Sequence, residues 1–179
     1  MSELELRLAI VDDARLLTEL GARLFEQTFA RDNTPADMQA YLAEAFTPER
    51  QAMELAEPNR MSWIVEDAAG VAVGYAVLIR GEISDSVDGN RPAELRRIYV
   101  DRSLHGRAID GGVSAGALLI ECCVSQARAW GCDVIWLAVW EKNPRALRFY
   151  EKQGFHRVGR ATFQLGEDLQ HDFVMARNL

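Results

Sequence analysis

Val134-Ile135-Trp136-Leu137-Ala138-Val139-Trp140 passes through Glu141-Lys142 into Asn143-Pro144-Arg145-Ala146-Leu147-Arg148-Phe149-Tyr150-Glu151-Lys152-Gln153-Gly154-Phe155, and this stretch decides how the chain is read. Its first seven residues are a nearly uninterrupted apolar run, the mark of a strand covered on both faces of a sheet. Asn143 before Pro144 is a helix-start signal: an Asn side chain accepts from a first-turn N–H, and proline at the first position forfeits no hydrogen bond. Gly154 ends the helix. A buried strand thus hands the chain to Asn143, and Phe149 and Tyr150 follow about two turns later. On packing grounds alone, Asn143 is a cap and Tyr150 a half-buried aromatic.

Upstream, residues 94–100 read as another strand, with Leu95, Ile98, Tyr99 and Val100. A glycine-rich stretch follows, His105-Gly106-Arg107-Ala108-Ile109-Asp110-Gly111-Gly112-Val113-Ser114-Ala115-Gly116. It leads into a long amphipathic helix carrying Ala115, Leu118, Leu119, Cys122, Ala127 and Trp130, stopped by Gly131. Glycines let backbone N–H groups approach a ligand, and a helix N-terminus adds a positive dipole end, which together suit a phosphate or pyrophosphate. Glycines before a helix are as often only a turn, so both readings stay open. The loop lacks the phosphate-loop and Rossmann glycine fingerprints.

Nearer the N-terminus, Leu4, Leu6, Leu8 and Ile10 alternate as a strand, and Asp12 or Asp13 caps a helix carrying Leu16, Leu17, Leu20, Leu24 and Phe25. Thr34-Pro35 and Thr47-Pro48 each open a further helix. Residues 61–67 and 70–80 form a hairpin around Asp67-Ala68-Ala69-Gly70, and 82–92 is a loop. Residues 155–163 and 171–176 close the chain as a second hairpin around Gly166-Glu167-Asp168. The order β-ααα-βββ-α-β-α-ββ predicts a mixed sheet with helices packed on it, an α/β or α+β fold without linker or repeat.

Composition narrows the function. With 179 residues, 49% of them hydrophobic, 5 Pro and 13 Gly, the chain suits one globular domain and excludes collagen-like, mucin-like and disordered classes. Twenty Lys and Arg against 27 Asp and Glu give a net charge of −7, which argues against nucleic acid and mildly favours cationic partners. Cys122, Cys123 and Cys132 form no complete disulfide set and fit no zinc spacing, so they read as thiols in a reducing compartment. Acidic residues near the N-terminus and the lack of a membrane-length apolar run predict a cytoplasmic protein without a membrane partner. His105, His156 and His171 are dispersed without metal spacing and read as surface or turn residues. Ser114 lacks a nucleophile elbow, against a serine hydrolase.

The segment from Asn143 to Phe155 resembles the Asn-x-x-Ala-x-x-Phe-Tyr-x-x-x-Gly-Phe motif of the GNAT superfamily of acetyl-CoA-dependent N-acetyltransferases. Leu95-Arg96-Arg97-Ile98-Tyr99-Val100, then glycine-rich loop and helix, follows the order of that family's acetyl-CoA motif. A closer likeness lies in Phe25-Glu26-Gln27-Thr28-Phe29, the Asn33-Thr34-Pro35 insertion through Phe46, the 135–143 segment and Met175-Ala176. These resemble PaiA-type bacterial spermidine/spermine N-acetyltransferases. The loop departs from the family pattern: it is longer by about half a dozen residues, a count made against the resemblance. One register places His105 to Asp110 at the pyrophosphate, the other Asp110 to Ala115.

The resemblance implies one domain over residues 4–179, a mostly antiparallel twisted sheet with two splayed central parallel strands, and acetyl-CoA as donor. Carried over by position, it implies that Ile98, Tyr99 and Val100 offer backbone hydrogen bonds to the pantetheine. Gly111, Gly112, Val113, Ser114, Ala115 and Gly116 would hold the pyrophosphate, and Asn143 would bond the cofactor. Tyr150 would protonate the departing thiolate, and also touch the cofactor. Glu94 matches a general-base position and equally suits an exposed strand end. The expected acceptor is a small-molecule amine, a polyamine foremost, with Asp32, Glu82, Asp85, Asp88 and Glu94 rimming its approach. A non-catalytic acyl-CoA sensor, a decayed fold, or an enzyme acting on peptide N-termini or amino acids are the alternatives. Oligomeric state is open, a homodimer being compatible.

Overall fold

The computed structural model describes residues 4–107 and 112–179. Strand β1 (Glu5–Leu8) leads through one turn of 3-10 helix to α1 (Ala14–Phe29), followed by α2 (Pro35–Ala45) and α3 (Pro48–Ala56). The Thr-Pro signals hold: Thr34 accepts from the Asp37 N–H and Thr47 from the Arg50 N–H, both at 3.2 Å. Asp13 precedes α1 without capping it. Its carboxylate instead takes both guanidinium nitrogens of Arg7 at 2.8 Å and the Ile10 N–H, a charge-assisted pairing that holds it below the usual carboxylate range.

The chain continues through β2 (Arg60–Glu66), β3 (Ala72–Arg80), β4 (Pro92–Val100), α4 (Ala115–Ala129), β5 (Val134–Trp140), α5 (Pro144–Lys152), β6 (His156–Leu165) and β7 (Asp168–Asn178). The seven strands form one sheet in the order β1-β2-β3-β4-β5-β7-β6, antiparallel except for β4–β5. This is the mixed, mostly antiparallel fold expected from the sequence. Strand alternation divides its core. Leu78, Leu95, Leu137 and Met175 pack with Leu119, Val124 and Tyr150 under α4 and α5, while Ile64, Tyr75, Val77 and Ile79 pack with Leu17, Leu20 and Leu24 of α1 on the other face. A buried ion cluster fastens α3 to this second face: Glu54 bonds Arg97 at 2.5 and 3.2 Å and Arg60 at 3.0 Å.

Two features open the middle of the sheet. Strands β4 and β5 pair only over Pro92–Val134, Ala93–Ile135 and Glu94–Trp136; beyond that, the last six residues of β4 have no partner on β5. On its other side β4 stays paired with β3, but Leu95 faces Leu78 while Arg97 faces Val77, which leaves Arg96 as an extra residue. Such a bulge bends its strand and increases the local twist. Strand β5 meanwhile remains in register with β7 throughout. The parting is therefore built into the two outer pairings. No described helix is long and apolar enough to cross a membrane.

Candidate active site

Ile98, Tyr99 and Val100 all lie on the unpartnered stretch of β4, so its inner edge carries backbone groups with no strand to bond. Strand alternation separates the three: the Asp101 N–H bonds the Val73 carbonyl, so the backbone groups of Tyr99 turn to β3 and those of Ile98 and Val100 to the open edge. The Val100 carbonyl accepts from His105 Nε2 at 2.8 Å, which leaves Ile98 and the Val100 N–H as the stronger candidates. His105, expected as a plain turn residue, acts as a structural link. With Nε2 donating, Nδ1 accepts from the Arg145 guanidinium and ties the end of β4 to the first turn of α5. Burial and the nearby Arg145 charge push its pKa down, keeping the ring neutral.

Gly112 has φ of +82°, a conformation glycine adopts without strain, and Val113 is exposed. Ser114 caps α4, its Oγ accepting from the Ala117 N–H at 3.2 Å. The helix begins at Ala115, as the sequence pattern expected, because the Ser114 cap starts it there, and Gly116 is its second residue. Their N–H groups still belong to the first turn, which has no intrahelical acceptors. Gly116 packs against Phe149, whose ring would lie 3.1 Å from an added Cβ. Gly111, and the Ala108-Ile109-Asp110 part of the other register, lie outside the described residues.

Asn143 is the cap of α5: its Oδ1 accepts from the Ala146 N–H at 3.1 Å. Its amide nitrogen bonds none of the described residues. Tyr150, seven positions on, is buried against Leu147, Phe149 and Phe155 on the α4–α5 face, and burial alone raises its pKa. A phenol so placed stays protonated across the physiological range.

On the opposite face of the parting, Glu94, Trp136, Ala138, Trp140 and Asp172 share one side of β4, β5 and β7, and the space above them is termed the chamber. Glu94 lies beside Trp136 at its closed end, 7% exposed, bonded to Arg96 at 2.5 Å. Burial raises the Glu94 pKa, Arg96 pulls it back, and burial prevails. Glu82 also reaches Arg96, at 3.8 Å, and its carbonyl accepts from the Trp136 indole. Asp85 and Asp88 lie on this same loop, whereas Asp32 lines a separate hollow with Asp37, Glu167 and Asp168. Ala138 is exposed although it sits on a central strand, so it forms a floor between Trp136 and Trp140. Tyr99, Phe25, Phe29 and Trp140 make an aromatic wall, with Phe29 6.4 Å from Tyr99 and 6.1 Å from Trp140 between ring centres.

One residue of this chamber was missed by sequence reasoning. Asp172 on β7 is 9% exposed and pairs in register with Trp140. Burial, reinforced by the Glu141 carboxylate, pushes its pKa up to about 6. The signal was present: in Asp172-Phe173-Val174-Met175-Ala176, alternation puts a carboxylate in line with Val174 and Ala176. Among the described residues, no group of three or more His, Cys, Asp or Glu is placed to hold a metal.

A sheet whose central parallel strands part beside a capped helix N-terminus agrees with what is found among known proteins. The family model of the acetyltransferase (GNAT) family matches residues 24–155. An uncharacterized N-acetyltransferase of Mycobacterium tuberculosis is 34% identical over 167 residues, 93% of this chain and 98% of that protein. One from Lactobacillus delbrueckii subsp. lactis is 32% identical over 161 residues, 89% and 88% of the two chains. The chain belongs to the GNAT acetyltransferase family, and its enzymatic class is N-acetyltransferase. In fold it is similar to the PaiA N-acetyltransferase of Thermoplasma acidophilum, solved in complex with coenzyme A, with a TM-score of 0.75, 19% identity and 99% of each chain covered.

Proposed function

We propose that residues 4–179 act as one unit that transfers an acetyl group from acetyl-CoA to a primary amine of a small polyamine-like molecule. The observation that carries this reading is the parting of β4 from β5, with Tyr150 on one face and Glu94 on the other. The residues present fit the donor: Ile98 and the Val100 N–H offer backbone groups to an extended amide-bearing arm, and the first turn of α4 offers N–H groups and a positive dipole end to a pyrophosphate. In this reading Gly111 to Gly116 hold that group, and the Asn143 amide contributes a further hydrogen bond.

When bound, acetyl-CoA supplies an electrophilic thioester carbonyl. Glu94, its proton affinity raised by burial, accepts the proton the amine must lose as the N–C bond forms. Tyr150, protonated through its raised pKa, donates to the sulfur as the C–S bond breaks. Arg96 keeps Glu94 oriented at the closed end of the chamber. The acceptor class follows from the carboxylates and aromatic rings that line the chamber, together with the net charge of −7.

An acetyl-CoA consumption screen against polyamines, amino acids, aminoglycosides and peptide N-termini tests the reading. Spermidine and spermine should be acetylated, with a rate at low substrate that falls as salt rises, since screening shortens the reach of charge to about 8 Å at physiological ionic strength. Acetylation of neutral or acidic amines alone would refute the polyamine assignment.

A further inference from the structure

We propose that Asp172 and the Trp140 indole beside it form an alkylammonium-binding subsite that seats the non-reacting cationic end of the acceptor. This rests on the proposed reading of the acceptor as a polyamine-like amine, and it names the residue that would select for a second charge.

Asp172 is more than nine-tenths buried, yet among the described residues its carboxylate accepts no side-chain hydrogen bond and joins no salt bridge. In register it lies between Trp140 of β5 and Ala161 of β6. Of the nearby basic groups, only His171, its chain neighbour, acts on Asp172, and the others are placed elsewhere. Arg160 bonds Glu141 at 3.2 Å and stacks over Phe173, Arg157 stacks over the same ring, and Lys142 lies over Trp140 at 5.9 Å. The carboxylate oxygens keep some contact with solvent, but a charge drawn this far from water without a cation is costly, and proteins that retain one normally supply the counter-charge from elsewhere. An aromatic face beside a carboxylate is the chemistry that holds an ammonium group. The exposed Ala138 makes the position reachable, since it lies diagonally next to Asp172, on the floor running from Trp140 back to Trp136.

The geometry also sets the ligand's length. Glu94 is level with Trp136 and Asp172 with Trp140, four residues apart on β5 and on either side of it, so about 13 Å along the strands and about 10 Å across them, or about 16 Å in all, separate the two positions. A cation seated on Asp172 whose other end reaches Glu94 must therefore be an extended chain with separated charges. A monoamine gains nothing from the subsite.

The test compares wild type and Asp172→Asn in kinetics with spermidine and with n-butylamine, and in direct titration with spermidine followed by tryptophan fluorescence. Removing one charge-assisted contact should raise KM for spermidine about ten- to a hundredfold, leave kcat within about twofold, and leave n-butylamine kinetics unchanged. Equal spermidine KM for the two proteins would overturn the subsite while the proposed function stands. Spermidine that binds wild type more tightly than the variant, without being acetylated, would retain the subsite and sink the polyamine-acetylation reading. No spermidine turnover and no binding by wild type would overturn both.

Discussion

Asp172→Asn should make the ligand-free protein more stable at neutral pH. Asp172 is pushed up to about 6 by burial and by Glu141, against an ordinary aspartate value of about 3.9. The folded protein thus binds more protons than the unfolded chain between about pH 4 and pH 6, so stability falls as pH rises through that window and stays lowered above it. Two units correspond to about 2.7 kcal/mol at most, and residual solvent contact at the chamber rim screens this to about 1–2 kcal/mol. An amide of the same shape carries no charge to desolvate. Urea unfolding of both proteins, followed at pH 4 and pH 7.5, should show the variant more stable by about 1–2 kcal/mol at pH 7.5, or about 2–8 °C in Tm, and equal at pH 4. His171, whose charge opposes the shift, and Glu141 remain unchanged in both proteins. A variant of equal or lower stability at pH 7.5 would show that Asp172 already has a counter-charge within the fold. A gain of the same size at pH 4 would show that the benefit is not electrostatic.

Tyr150→Phe should lower kcat about ten- to a thousandfold while KM for acetyl-CoA stays nearly constant, as expected for loss of a proton donor; an unaltered rate across the pH range would remove Tyr150 from the mechanism. Glu54→Gln leaves the buried Arg97 and Arg60 without their shared carboxylate and should cost about 3 kcal/mol in chemical denaturation, as breaking one side of a buried ion pair does. A loss below about 0.5 kcal/mol there would place the cluster among surface pairs of little weight.

The parts of this protein that were legible in its sequence are those governed by neighbours a few residues away. The apolar run at β5, the Asn143 start of α5, the Thr34 and Thr47 caps, and the Gly70 turn with φ of +75° each rest on chemistry contained within one turn. The failures have a common cause as well. Asp13 has the right residue type and position for a cap, but a strand residue, Arg7, competes for it. His105 is featureless in sequence because the link it makes, from Val100 to Arg145, exists only after β4 and α5 have been brought together.

The chamber shows why a site of this kind is only half visible. Its Glu94 end was traceable, as was Tyr150 on the opposite face, because both residues lie in or beside motif segments. Its far end depends on two registers that no local pattern specifies: the bulge at Arg96, set by pairing with β3, and the Asp172–Trp140 pairing, set by β7 inserting between β5 and β6. Shift β7 by one residue and Asp172 would leave the chamber for the α4–α5 face, where Phe173 and Met175 now pack. Val174 and Ala176 hold it in place by filling the pocket with Val134 and Trp136, and so the apolar residues that follow Asp172 determine where its charge is presented. A hydrophobic register thereby holds a largely buried side chain whose carboxylate meets only solvent, at a cost of about one or two kcal/mol on the scale worked out for Asp172, a cost that a cation bound at the proposed subsite would offset.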